Sequence, residues 1–199
     1  MVYFTSDQHF GHANIIRFCN RPFKTVEEMN RAMLAKWNAK VTDADDVWIL
    51  GDLFFRSATV EPILEQLKGR KHLILGNHDS SWVGRIELSK YFTSVAEIYN
   101  GKVGEHQVTM CHYPMLSWPQ DRNSYMIYGH IHNHVNADYW PLIQKRECML
   151  NAGVEVNDFA PVAFDELVAN NRCFRAGRAK NESGNEKKFA FFSELERKP

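Results

Sequence analysis

Residues 71–79 read Lys71-His72-Leu73-Ile74-Leu75-Gly76-Asn77-His78-Asp79, and this stretch decides the fold class. The apolar run His72-Leu73-Ile74-Leu75 predicts a short buried strand, which Gly76 ends in a turn. An amide, an imidazole and a carboxylate follow at once: Asn77, His78 and Asp79. Such groups bind metals or handle protons, and in open α/β sheets ligands gather at the carboxyl ends of strands. The same arrangement recurs elsewhere. Val2–Ser6 precedes Asp7 and His9, Val47–Leu50 precedes Gly51-Asp52, Glu105–Cys111 precedes His112, and Tyr125–Tyr128 precedes Gly129-His130-Ile131-His132.

Helices are expected between these strands. Thr59 to Lys68, with Pro62 in its first turn and Gly69 beyond its end, predicts a helix joining the strand of 47–50 to that of 72–75. Strand, helix, strand at this spacing is a βαβ unit with parallel strands. Thr25 and Glu28 form a capping-box pattern, and Val26, Met29, Met33 and Trp37 follow at helical spacing as a core-facing stripe. A further helix is expected over about residues 82–91. Asn100-Gly101 predicts a hairpin turn between Ser94–Tyr99 and Glu105–Cys111. A strand at Cys148–Leu150 and a last helix at Phe164–Asn171 complete a single domain over residues 1–174. Residues 175–199 are polar and aperiodic, which predicts a mobile tail, with Phe189, Phe191 and Phe192 available to dock its end.

At 199 residues and 44% hydrophobic, the chain can build one sizeable core. Lys plus Arg equal Asp plus Glu at 24 each, so no global basic field points to long nucleic-acid tracts. Cys19, Cys111, Cys148 and Cys173 include no C-x-x-C pair and read as free thiols of a reducing compartment. Asp7 arrives too early for a signal peptide and no run approaches transmembrane length, so a soluble, cytoplasmic protein without a membrane partner is expected.

The strand-end groups Asp7, His9, Asp52, Asn77, His112, His130 and His132 are seven ligand-type side chains, enough for two metal ions if one carboxylate bridges. Asp7 and His9, like His130 and His132, are spaced i, i+2 and share a side if extended geometry persists. Imidazole, carboxylate and amide without thiolate favour divalent Mn²⁺, Fe, Zn²⁺ or Ni²⁺, with Mn²⁺ first, over copper(I) or an iron–sulfur cluster. His12, Arg17, Arg21 and Arg56 lie near these motifs. His12 fits substrate contact or a loop hydrogen bond, and Arg17 and Arg21 fit phosphate binding or loop bracing. Trp118 fits a pocket wall or simple packing, His134 the rim, and His72 and His106 strands without chemistry.

Asp7-x-His9, Gly51-Asp52, Gly76-Asn77-His78-Asp79, His112 and Gly129-His130-x-His132, in that order over residues 7–132, resemble the calcineurin-like metallophosphoesterase superfamily. Asn157-Asp158 with Pro161 resembles its small bacterial and phage phosphoesterases. The resemblance implies an α/β (α+β) architecture, a four-layer α/β/β/α sandwich of two mixed sheets. It also implies one metal on Asp7, His9, Asp52 and His132 and a second on Asp52, Asn77, His112 and His130. His78 would then face the leaving-group oxygen as acid, with Asp79 holding its other ring nitrogen, while a hydroxide between the metals attacks phosphorus in line. The protein-phosphatase branch carries Gly-Asp-x-x-Asp-Arg-Gly, whereas here Phe55 and Ser57 replace its second Asp and last Gly; Arg56 remains. Protein phosphatase activity is therefore not implied.

The expected function is hydrolysis of a small phosphodiester or phosphomonoester. A nuclease on short RNA or DNA ends is the alternative, disfavoured by the neutral net charge. A non-catalytic binding scaffold is the third reading, disfavoured because such relatives lose ligands or the catalytic histidine and this chain keeps both.

Overall fold

The structure, a computed structural model, describes residues 1–56, 60–180 and 186–188. Along the chain come β1 (Val2–Thr5), α1 (Ala13–Phe18), α2 (Val26–Lys40), β2 (Asp46–Ile49), α3 (Val60–Leu64), β3 (Arg70–Ile74), β4 (Phe92–Ala96), β5 (Ile98–Val103), β6 (His106–Cys111), β7 (Tyr125–Tyr128), α4 (Trp140–Gln144), β8 (Met149–Asn151), β9 (Val162–Ala163), α5 (Phe164–Arg175), β10 (Arg178–Lys180) and β11 (Glu186–Lys188). One mixed sheet has the order β4-β3-β2-β1-β9, with β1 to β4 parallel and β9 antiparallel to β1. The other has the order β5-β6-β7-β8, with only the β5–β6 pair antiparallel.

Alternation along the strands explains how the sheets stack. Tyr3, Val47, Ile49 and Leu73 point to one face of the first sheet, where Met29, Met33 and Trp37 of α2 cover them. Their neighbours Phe4, Trp48, Leu50 and Ile74 point the other way and meet Val108, Met110, Ile127 and Leu150 of the second sheet. The far face of that sheet, with Met126, Tyr128 and Met149, packs against Trp140 and Ile143 of α4 and Phe174 of α5. The result is the expected four-layer sandwich of two mixed sheets between helices.

The Thr25 hydroxyl accepts from the Glu28 N–H, as a capping box requires. The Glu28 carboxylate reaches back one residue further than expected, to the Lys24 N–H. Three expectations need correction. Residues 82–91 form no α-helix; three short 3₁₀ turns run from Asp79 to Lys90. The hairpin turn lies at Gly104-Glu105, with Val103 paired to His106, and Asn100-Gly101 sits inside β5. Gly104 adopts φ +56°, which a two-residue loop demands and which outcompetes the local Asn-Gly signal. β4 belongs to the first sheet, so the expected strand Ser94–Tyr99 is split between two sheets.

The helix expected from Thr59 is α3 and stops at Leu64, with Thr59 itself outside the described residues. The segment expected to be an aperiodic tail contains β10 and β11, which pair antiparallel because each supplies the backbone hydrogen bonds the other lacks. Phe189, Phe191 and Phe192 lie outside the described residues. No helix among the described residues is long and apolar enough to cross a membrane.

Candidate active site

The two sheets end at one edge, and the loops that follow β1, β2, β3, β6 and β7 meet there. Five of the seven expected ligands sit in left-handed backbone: Asp7 (φ 60°), His9 (52°), Asp52 (54°), His130 (70°) and His132 (49°). Such conformations cost about 1–3 kcal/mol each and persist where the surroundings over-determine them, which is typical of active sites. They also correct the expected reason for convergence. Asp7 and His9 meet because the chain turns sharply after β1, not because extended geometry persists.

Four nitrogens and three oxygens face one another. His9 Nε2 lies 4.0 Å from Asp7 Oδ1 and 3.5 Å from Asp52 Oδ2. His132 Nε2 lies 3.9 Å from the same Asp7 oxygen. His112 Nε2 is 3.4 Å from Asp52 Oδ2, and both His112 Nε2 and His130 Nδ1 stand 3.1 Å from Asn77 Oδ1. Asp52 therefore touches both halves of the cluster. All seven expected ligands are brought together, and Asp7, His9, Asp52 and His112 are essentially inaccessible to solvent.

The surrounding groups aim these atoms. His112 Nδ1 donates to the Leu50 carbonyl at 2.8 Å and His132 Nδ1 donates to Glu155 Oε1 at 3.0 Å, leaving each Nε2 for the centre. The His130 N–H donates to both Asp7 oxygens, at 3.1 and 3.0 Å, and the His78 N–H donates to Asp52 Oδ1 at 2.9 Å. Among the described residues His9 has no hydrogen-bond partner at either ring nitrogen, although both are buried. A buried imidazole without a partner is costly, and a cation at Nε2 would satisfy it.

Titration behaviour agrees with a cation site. Burial pushes the Asp7 carboxyl up and holds the His9 imidazole well below its usual range. Burial and the neighbouring His112 lower His130 to about 4, which keeps it neutral, as a metal-binding imidazole must be. Burial would lower His112 too, but Asp52 and Asp7 outweigh it and raise the ring to about 9. Burial opposes ionisation of Asp52, yet His112 and His9 hold it at about 2. Closely packed carboxylates that draw positive charge onto neighbouring imidazoles are what a divalent cation neutralises, displacing the protons. Donor types, orphaned nitrogens and charge all fit metal, and among the described residues Asp7-His9-His132 and Asp7-Asp52-His112 each bring three donor atoms within 4.8 Å of one another, as does Cys19-His132-Glu155.

Asp79 departs from its expected role. Its carboxylate accepts from the N–H groups of Asp52, Leu53 and Gly76 and from the Trp82 indole, at 2.8–3.1 Å. These donors occupy both oxygens, so Asp79 ties the loop after β2 to the loop after β3 instead of orienting the His78 ring. The His78 side chain is 39% exposed, with Nε2 3.9 Å from Asp52 Oδ2. It stands beside a cleft of about 1130 Å³ that His9, His12, Arg17, Arg56 and His132 also line. His12 stacks on Phe55, with ring centroids 3.7 Å apart.

Arg21 braces the site from behind: its guanidinium donates to the carbonyls of Gln8 and Asp7 and to Glu155. Trp118 packs under Arg146 and donates to Ser124, away from the cleft. His72 stacks on Trp48, and His106 on Phe164.

Glu155 is a candidate site residue that sequence reading missed: it joins Arg21 to His132. Burial would raise its carboxyl, but Arg21 and His132 hold it well below the usual range. Its signal was a lone carboxylate between Val154 and Val156, just after the strand end at Asn151-Ala152-Gly153. Glu155→Gln is expected to weaken metal affinity about 10–100-fold. It should also lower stability by about 3–5 kcal/mol, because the Arg21 charge stays buried without its partner. Isothermal titration with Mn²⁺ and urea denaturation would measure the two effects.

A model of the calcineurin-like phosphoesterase family matches residues 1–146. An uncharacterized protein of Methanocaldococcus jannaschii, MJ1445, is 37% identical over 171 residues, covering 84% of this chain and 89% of that protein. The gene 66 protein of Mycobacterium phage L5 is 26% identical over 188 residues, covering 73% of this chain and 90% of its own length. Among solved structures, the protein of unknown function AQ665 from Aquifex aeolicus aligns with a TM-score of 0.65 at 26% identity, over 83% of this chain and 96% of that one.

Proposed function

We propose that this chain, which belongs to the calcineurin-like phosphoesterase family and is a metal-dependent hydrolase of phosphoric esters, acts on a small phosphomonoester or phosphodiester through a pair of cations, Mn²⁺ foremost. The observation that carries this reading is the position of Asp52, within 3.5 Å of a nitrogen of His9 and of His112. One cation would take Asp7, His9, Asp52 and His132, and the other Asp52, Asn77, His112 and His130. Bound there, the pair would supply Lewis acidity, an ionisable water near neutral pH and neutralisation of charge at phosphorus.

The chain's own groups do the rest. His78 is an accessible imidazole beside the cluster, and its backbone is held by donation to Asp52. It can pass a proton to the leaving oxygen. Asp79 keeps the two loops in register so that His78 and Asp52 stay adjacent. Arg17 and Arg56 line the cleft and suit phosphate oxygens, since a guanidinium offers paired donors. The neutral net charge favours small substrates over long nucleic acid.

Metal analysis of the purified protein, followed by a panel of p-nitrophenyl mono- and diesters with added Mn²⁺, tests the reading. His78→Ala is expected to retain metal while kcat falls about 10²–10⁴-fold, most with poor leaving groups. Loss of metal in that variant would overturn the division of roles.

A further inference from the structure

We infer that the cleft beside the cation cluster receives a flat aromatic ring carried on the leaving group of the substrate. The inference rests on the phosphoesterase reading and names the substrate class for the same site.

A row of rings leads out of the cluster. His9 and His78 have centroids 5.3 Å apart, and Phe55 stands edge-on to His78 at 5.0 Å. Phe55 and His12 stack nearly parallel, 3.7 Å apart at 16°, and His12 meets Phe18 at 6.2 Å. Phe18 is 50% exposed and Tyr139 42% exposed, and both line the cleft. Large apolar side chains left open to water in a concavity mark a place where a ligand takes up that surface. The cleft, about 1130 Å³, is far larger than a phosphate group needs.

The position of the row assigns the ring to the leaving group. His78, the group placed at the leaving oxygen, stands at the cluster end of the row, so what departs beside it extends along Phe55 and His12. The open ring edges along the row and the half-exposed Phe18 favour a planar occupant, because edge-to-face ring pairs add to simple burial. The Arg17 and Arg56 guanidinium carbons lie 5.4 and 5.5 Å from the Phe18 and Phe55 ring centroids. They leave the cleft cationic at its edge and apolar along its wall, which suits an anionic ester joined to a neutral ring. An aryl ester and a nucleoside ester share this chemistry.

The test uses the full chain loaded with Mn²⁺ and two matched pairs of methyl phosphodiesters with their monoesters. One pair sets a phenyl against a fluoroalkyl leaving group of equal acidity; the other sets adenosine against ribose at the 5′ position. The ring-bearing member is expected to have a kcat/KM at least about tenfold higher in one pair, the scale of a single stacking contact. The pair that shows it identifies the source as aryl or nucleoside. Phe18→Ala, at a half-exposed position, and Phe55→Ala should each pull that ratio toward one. Saturation-transfer NMR should detect adenosine or phenol on the wild-type chain and lose it in Phe18→Ala. Equal kcat/KM within both pairs would overturn the ring inference and leave the phosphoesterase reading standing. Failure to hydrolyse any ester, bis(p-nitrophenyl) phosphate included, would instead sink the phosphoesterase reading and with it the leaving-group assignment.

Discussion

Asp52→Asn is expected to abolish turnover, with a fall of at least about 10²–10³-fold, the scale on which a single preorganised electrostatic group acts. The substitution keeps the side chain's size and removes the charge that both halves of the cluster share. Asp52 Oδ2 lies 3.5 Å from His9 Nε2 and 3.4 Å from His112 Nε2, while Oδ1 accepts the His78 N–H. A neutral amide can still accept that hydrogen bond, so the loop after β3 should keep its place and the protein should remain folded. Metal content per chain should fall together with rate. A variant that kept two ions per chain and more than a tenth of wild-type activity would show that Asp52 is not the shared ligand. His112, raised to about 9 chiefly by Asp52 against the effect of burial, should titrate lower in the variant. NMR of the metal-free imidazoles can follow that shift.

The second large effect is expected from a single methyl group. A Cβ added at Gly129 would stand 2.0 Å from Ser6 Oγ and 2.6 Å from Asp7 Oδ2. Neither atom has room to retreat: the Ser6 hydroxyl donates to the Leu50 carbonyl, and Asp7 accepts the His130 N–H. Gly129→Ala should therefore force the ends of β1 and β7 apart, at a cost of about 1–3 kcal/mol or more. It should also dislodge the carboxylate that faces His9 and His132. Loss of stability in urea together with loss of Mn²⁺ binding is the expected result. Gly84→Ala, where an added Cβ meets nothing within 4 Å, is the control and should stay within about 0.5 kcal/mol of wild type. A Gly129→Ala protein that bound Mn²⁺ normally would refute the packing argument.

Gly129 also shows how strand-end glycines work here. Gly51 and Gly76 are equally crowded: their added Cβ atoms would lie 2.6 Å from His112 Nδ1 and 2.3 Å from Asp52 Oδ1. In the sequence one of them, Gly76, reads as the turn that ends its strand. In the fold Gly51 and Gly76 are the places where His112 and Asp52 pass against bare backbone.

What the chain's one-dimensional order determined is local in origin. Apolar runs placed β1, β2, β3, β6 and β7, the Thr25 cap and the Met29-Met33-Trp37 stripe placed α2, and the recurrence of His, Asp and Asn after each strand picked out the seven groups that converge at the strand ends, because such patterns and capping act over a few residues. The tertiary structure decided what depends on distant partners. Asp7 meets the His130 N–H across 123 positions, and Arg21 meets Glu155 across 134. The division of residues 92–103 between two sheets, the use of Asp79 as a tie between loops and the recruitment of Glu155 behind His132 share that origin. In each, a buried polar or backbone group takes whichever partner the packed sheets bring within hydrogen-bond reach, and no local pattern names that partner in advance.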